Sequence, residues 1–467
     1  MLLRRIRMVS ASIHPCSLST CTDPQLNGTA LSGPCTLSVS LPPCDTSTNN
    51  VLNNLKVETA APEKKLTGYA LYAHLGNPKY ILAPMVGQSE LPFRMLTRRY
   101  GAQLCYTPMV HSRLFVENEK YRNTIFTTTE TDRPLVVQFC GNDPETILKA
   151  AQYVQHQCDI VDINLGCPQG IARKGNYGAF LLEQPEVIIA MVKKLHAELT
   201  VPIACKIRLL STYDATLLLC QQLVEAGCQL LTVHGRTKEN SKTNVSAVDW
   251  TSIRKLKEAL SIPVIANGGI ATFADLQPCL DATQAMGVMS SEAILECPDL
   301  FAPDSTKSGL DLAQEYATLA EEYPTNMKDV RAHLFKFLYR ILCLYPEKRP
   351  MLGKIRNMPD IQIFLKSLRE DVELSGKSAL ELEKPLLKWY FRHQAGQKKV
   401  LKKRKEAKAE KEEEAKMKEE DTPCREESLS ENTKMIKNVP KQQQDENLPE
   451  PKRHKNDTIP EEQDIIL

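Results

Sequence analysis

The chain has 467 residues, a formal net charge of +2 and a hydrophobic fraction of 42%. That composition supports a sizeable core in two or three domains and argues against a wholly disordered or fibrous chain. The 15 cysteines are irregularly spaced and include no C-x-x-C pair, which argues against a zinc ribbon, a thioredoxin-like motif or a disulfide framework and suits reduced thiols. No apolar run approaches the ~18 residues of a membrane-spanning helix, so no membrane partner is expected.

Residues 1–65 are rich in Ser, Thr, Pro and Cys, and they carry Arg4, Arg5 and Arg7 with no acid before Asp23. Two readings compete: a disordered extension, and a mitochondrial transit peptide. From about 79 to 291, eight short apolar runs follow: KYILAPM, QLCYTPM, LVVQFC, IVDINL, PIACKIR, QLLTVHG, PVIANG and AMGVMSS. Each has the near-continuous apolarity of a strand in a buried parallel sheet. Between them lie helix-like stretches such as DPETILKAAQYVQHQ, which opens on an Asp cap, and YDATLLLCQQLVEAG, which ends on a glycine. Eight such units predict an α/β fold, a (β/α)8 TIM barrel, over 66–305. A doubly wound sheet is the alternative; it would usually carry a Gly-rich fingerprint after its first strand, and none is present.

Polar residues gather at the C-terminal ends of these runs: Gln138, Asn164, Cys167, Lys206, Arg208, His234, Arg236 and Asn267. In a barrel those ends meet at one face, where active sites lie. Within DINLGCPQG (162–170), Gly166 and Pro168 interrupt the strand and put Cys167 on a sharp turn. IANGGI (265–270) places Asn267, Gly268 and Gly269 after the seventh run, the usual phosphate corner of this fold. Lys206 and His234 face the same mouth, where a cation would stabilise the anionic reduced form of a flavin. Gln138 could hydrogen-bond the ring's amide edge. Singly, each has a plainer reading as a turn, a surface ion-pair partner or a structural histidine; jointly they point to FMN, because no dinucleotide motif is present to hold FAD.

Residues 306–393 predict a small all-helical domain. In NMKDVRAHLFKFLYRILCLYP, His333, Lys336 and Arg340 recur at one-face spacing, and Lys328, Arg331, Lys348, Arg349, Lys354 and Arg356 add charge. That basic face suits RNA phosphates; an ordinary solvated helix is the alternative. Residues 394–467 are too charged to bury a core. Their run from Lys402 to Lys405 reads as a nuclear import signal, an RNA-attracting arm or a solvated linker.

The segments APMVGQSELPFRML, VQFCGNDPE, DINLGCPQ, KGNYGAFLL, CKIRL, TVHGRTKE and IANGGI resemble the tRNA-dihydrouridine synthases. GCPQGIARKGNYGAFLL and GVMSSEAIL are most similar to the eukaryotic class that modifies positions 16 and 17 of the D-loop. The resemblance implies an FMN enzyme that reduces the C5=C6 bond of uridine in tRNA, with NADPH (or NADH) as reductant. It implies that Pro84, Met85 and Val86 line the flavin, that Gln138, Lys206 and His234 contact it, and that Asn267, Gly268, Gly269, Ser291 and Glu292 lie toward its phosphate. It makes Cys167 the proton donor. Asn164, Lys174 and Arg236 are the candidate substrate contacts. Two departures stand out. Ser291-Glu292 replaces the Gly-Arg of many members, and Lys242-Thr243-Asn244 extends a loop that is usually tighter. A monomer is expected, in the cytoplasm or nucleus, or in mitochondria if the arginine-rich start is a transit peptide. The competing functions are a tRNA-binding chaperone without catalysis and an FMN barrel that reduces a small pyrimidine.

Overall fold

The structure is a computed structural model and describes residues 65–240 and 247–391. The arginine-rich start, the Lys242-Thr243-Asn244 insert and the charged tail therefore lie outside the described residues. Nine parallel strands form the sheet: β1 (Tyr80–Leu82), β2 (Leu104–Tyr106), β3 (Val110–His111), β4 (Leu135–Cys140), β5 (Ile160–Leu165), β6 (Ile203–Arg208), β7 (Cys228–His234), β8 (Val264–Asn267) and β9 (Gly287–Ser290). Their order is β2-β1-β9-β8-β7-β6-β5-β4-β3, and pairing of β2 with β4 closes the barrel. The two residues of β3 extend the wall that β2 begins, since both pair with β4. The barrel thus has the eight strand positions expected from the apolar runs.

The near-continuous apolarity of the strands has a direct cause: each is buried on both faces. The outward side chains and the flanking helices share one large core that includes Val137, Val161, Cys205, Leu231 and Val288. The inward side chains form a second cluster of Ile81, Leu104, Val136, Ile160, Ala204, Leu230, Ile265 and Met289. That cluster is the apolar floor of the barrel. Along the same inward phase, polar side chains replace apolar ones toward the C-terminal ends, giving Gln138, Asp162, Asn164, Lys206, His234 and Asn267. Helices start where the sequence supplies caps: Asp143, Thr212 and Asp249 each accept a backbone N–H from the first turn of the helix that follows.

The helices after Ser308 do not build a core of their own. Leu310, Ala313, Tyr316, Val330, Leu334 and Phe337 join the barrel's outer core, where helix Gly309–Glu322 packs on helix Leu91–Arg99. This corrects the expected basic face. His333 is fully buried, Lys336 is 8% exposed and donates to the Ala332 carbonyl, and Arg340 pairs with Glu383 at 2.8 Å. His333 meets Glu90 beside the barrel, whereas Arg340 lies beyond helix Met327–Phe337 and meets Glu383 of helix Ala379–Glu383. The spacing assumed one continuous helix, but the helix ends at Phe337 before Arg340, and spacing alone could not tell which face would be covered. Of the cations that the sequence marked in this region, Lys328, Arg349, Lys354 and Arg356 are exposed. Among the described residues, no helix is long and apolar enough to cross a membrane.

Candidate active site

The mouth of the barrel brings together residues from five strands. Beyond β5 the chain turns sharply, and the Asn164 side chain closes that turn. Its Oδ1 accepts the backbone N–H of Gly166 at 3.2 Å and of Cys167 at 3.0 Å. Arg208, at the end of β6, donates Nε–H to the Gly166 carbonyl at 2.7 Å. Gly166 itself does not adopt a left-handed conformation, so the elbow is set by these two side chains and not by glycine's freedom. Left-handed backbone occurs instead at Gly178, which closes on Cys167 from the next loop at φ +66°. A Cβ there would lie 2.7 Å from the Cys167 carbonyl oxygen and 3.1 Å from its Cβ.

Cys167 is half-buried, and burial pushes its thiol above the ordinary range, against the lowering effect of a backbone hydrogen bond, Arg208 and Lys206. The thiol is therefore protonated at neutral pH. Lys206 donates to Asn267 Oδ1 at 2.9 Å, and Asn267 in turn donates to the Met289 carbonyl at 3.0 Å. No carboxylate lies within ion-pair distance of Lys206 among the described residues. Burial first, and then repulsion from Arg208, brings its ammonium down to about 8. His234 stands 3.3 Å from Arg236 Nη1. Burial and the cations Arg208, Lys206 and Arg236 hold its imidazole well below the usual range, so it is neutral. Gly268 and Gly269 have φ of +104° and +84°, and a Cβ on Gly268 would meet the His234 ring at 2.9 Å. The Ser290 hydroxyl is buried and has no hydrogen-bond partner among the described residues.

The remaining expected residues fall as follows. Pro84 and Met85 are partly exposed and Val86 is 46% exposed on the loop after β1. Ser291 and Glu292 are half-buried just beyond β9. Lys174 is exposed at the end of the short helix Gly170–Lys174, and Arg236 is half-buried beyond β7. Gln138 and Asn164 are committed within the protein. Asn164 Nδ2 donates to Gln138 Oε1 at 2.7 Å, and Gln138 Nε2 donates to Asp162 Oδ2 at 2.8 Å.

Sequence reasoning gave no role to Asp162, Gly178 or Ser290 and left Arg208 as one more polar strand end. Asp162 shares the inward phase of Asn164, two residues on, and that period was the available signal. Burial raises the Asp162 carboxyl to about 7, ahead of the lowering effects of Gln138 and Lys206.

A sequence profile described as dihydrouridine synthase (Dus) matches residues 81–362, more than half of the chain. The chain belongs to the dihydrouridine synthase family. A mouse relative, described as tRNA-dihydrouridine(16/17) synthase-like, is 43% identical over 308 residues, covering 65% of each chain. A Schizosaccharomyces pombe tRNA-dihydrouridine(16/17) synthase is 42% identical over 316 residues, covering 64% of this chain and 79% of its own. A human tRNA-dihydrouridine(20a/20b) synthase-like protein is 36% identical over 286 residues, covering 61% of this chain and 89% of its own. The chain thus spans just under two thirds of the length of its mouse relative. Within the family, this member resembles the 16/17 class more than the 20a/20b class.

Two outcomes follow from the site geometry. Gly178→Ala is expected to cost more than the ~1–2 kcal/mol of left-handed backbone alone, because the new methyl also collides with the Cys167 peptide. Gly376→Ala is the control: its φ is +71° but nothing lies within 4 Å of the added carbon. Thermal melts of the two variants separate strain from collision, and equal losses would show that the Cys167 contact yields freely.

The second outcome concerns Asp162. Its folded value of about 7 exceeds the ordinary carboxyl value of about 3.9, so its contribution to stability is present at low pH and is lost as pH rises through 7. Asp162→Asn removes that loss. Its melting temperature relative to the unaltered chain should therefore rise between pH 5 and pH 8. Parallel melting curves across that range would refute the assignment.

Proposed function

We propose that this chain is an FMN-dependent tRNA-dihydrouridine synthase acting at D-loop positions 16 and 17, with NADPH as reductant. The observation that carries the reading is the protonated, half-buried Cys167 thiol on an elbow at the barrel mouth, beside Lys206 and Arg208. Family membership and the names of the mouse and yeast relatives support the substrate.

The residues present suit a flavin phosphate ester. Lys206 lies at the mouth without a carboxylate partner among the described residues, Ser290 offers an unused hydroxyl, and two left-handed glycines leave backbone open beside His234. Lys206, His234 and Asn267 would hold the ring side, with Gly268, Gly269 and Ser290 toward the phosphate. When bound, FMN supplies hydride to C6 of the uracil. Cys167 donates its proton to C5 from the other side. A thiol serves here because it remains protonated at neutral pH and is still acidic enough to give the proton up. The mouth must receive a uridine extruded from folded tRNA, which costs a few kcal/mol of stacking. Exposed Lys328, Arg349, Lys354 and Arg356 would offset part of that cost through phosphate contacts.

The test uses the purified full chain. It should be yellow and should form dihydrouridine in unmodified tRNA with NADPH, with NADH as the comparison arm. A colourless protein that binds tRNA without modifying it would favour the chaperone. A yellow protein that ignores tRNA but oxidises NADPH with a free pyrimidine would favour the small-molecule reductase.

A further inference from the structure

Three buried side chains from two adjacent strands form one hydrogen-bond chain that ends on the backbone of the Cys167 elbow. Asp162 Oδ2 accepts from Gln138 Nε2 at 2.8 Å, and Gln138 Oε1 accepts from Asn164 Nδ2 at 2.7 Å. Asn164 Oδ1 then accepts the N–H groups of Gly166 and Cys167 at 3.2 and 3.0 Å. Strand register explains why they meet: Gln138 on β4 is level with Asp162 on β5, so their inward side chains share a layer. Asp162 and Gln138 are 0% exposed and Asn164 is 8% exposed, so water cannot substitute for a lost partner.

The chain has a direction. Two backbone N–H groups require an oxygen from Asn164, which turns its amide nitrogen toward Gln138. Gln138 must answer with its oxygen, which turns its own nitrogen toward position 162. The only side chain that always presents an acceptor there is a carboxyl. The second Asp162 oxygen, Oδ1, is buried and has no partner among the described residues, so the carboxyl is held for what Oδ2 does. We propose that Asp162 is a positioning residue that sets the polarity of the Gln138–Asn164 pair and, through it, holds the Cys167 elbow. Its consequence for turnover rests on the proposed role of Cys167, whereas the geometry it claims does not.

Reversing the chain tests it. In Asn164→Asp the Gly166 and Cys167 N–H groups keep their acceptor, but the other carboxylate oxygen faces the Gln138 oxygen. Turning Gln138 over moves the clash to an ionised Asp162, so the alkylation is run at pH 8, above the Asp162 value of about 7. The double variant Asp162→Asn/Asn164→Asp relieves it: Gln138 donates to residue 164 and accepts from residue 162. The measurement is the rate of Cys167 alkylation by iodoacetamide in the full chain, read by peptide mass spectrometry, alongside the thermal melt. Asn164→Asp should speed alkylation about tenfold, in keeping with an unsatisfied buried polar contact. The double variant should return to near the original rate.

If Asn164→Asp alkylates normally, the turn needs only a local acceptor and the proposal fails. It also fails if the double variant is no slower than the single. Should the single variant not fold, a folded double variant with normal alkylation supports the proposal and an unfolded one overturns it. Absence of dihydrouridine formation by the unaltered chain would sink the functional reading while leaving the alkylation result intact.

Discussion

Cys167→Ala is expected to lower dihydrouridine formation by about 10²- to 10⁴-fold, the usual worth of a positioned general acid, while the protein folds and stays yellow. The expectation follows from where the thiol sits. Its elbow is held by Asn164 and Arg208, and neither contact uses the sulfur. Removing Sγ therefore deletes the proposed proton source and the thiol's contact with the Gln169 backbone but leaves the Asn164 and Arg208 contacts in place. Cys167→Ser should recover little, because a hydroxyl at the same place is a far weaker acid than a thiol. Dihydrouridine per tRNA, measured by mass spectrometry under single-turnover conditions, reports the loss; visible absorption and the melt report the controls. Full activity in the alanine variant would overturn the acid assignment.

His333→Ala should destabilise the chain by about 1–3 kcal/mol, the typical cost of leaving a buried group, here the Glu90 carboxylate, without a hydrogen-bond partner. His333 approaches the Glu90 carboxylate at 3.0 Å, Tyr316 donates to the same group at 2.7 Å, and the imidazole stacks on Phe93 at 4.4 Å between centroids. Glu90 begins helix Leu91–Arg99, directly after the loop of Pro84, Met85 and Val86. The contact therefore ties the C-terminal helices to a wall of the proposed cofactor site. Burial lowers the His333 imidazole despite its acidic neighbour, so it is neutral and donates to an ionised Glu90. Both values lie below their unfolded counterparts. Stability is thus present above an ordinary histidine value of about 6.5 and is lost on acidification, first through His333 and then through Glu90. Denaturant unfolding at pH 7.5 and 5.5 checks the size and the sign. A double variant Glu90→Leu/His333→Leu should lose less than the two single losses combined, because it strands no buried charge. A loss below 1 kcal/mol for His333→Ala would mean that the interface does not depend on the pair.

The sequence by itself determined the barrel. Strands buried on both faces must be apolar throughout, and the polar ends of LVVQFC, IVDINL, PIACKIR, QLLTVHG and PVIANG had to converge once those strands closed. It also named residues that the fold brings to the barrel mouth, since Cys167, Lys206, His234 and the Gly268-Gly269 pair sit in motifs short enough to read along the chain. Contacts between distant segments were not legible, because side-chain chemistry alone does not say which partner a group will meet. His333, Lys336 and Arg340 looked like a phosphate-binding face until packing buried them, with His333 against Glu90 and Arg340 against Glu383 of another C-terminal helix. Gln138 and Asn164 read as candidate ligand contacts, and strand register also joins them to Asp162 and to the backbone of Cys167, which no local pattern announced. Local pattern decided which atoms are present at the mouth. Only tertiary structure decided which of them are already hydrogen-bonded, because inside a packed barrel every polar atom must be satisfied by whichever strand lies beside it.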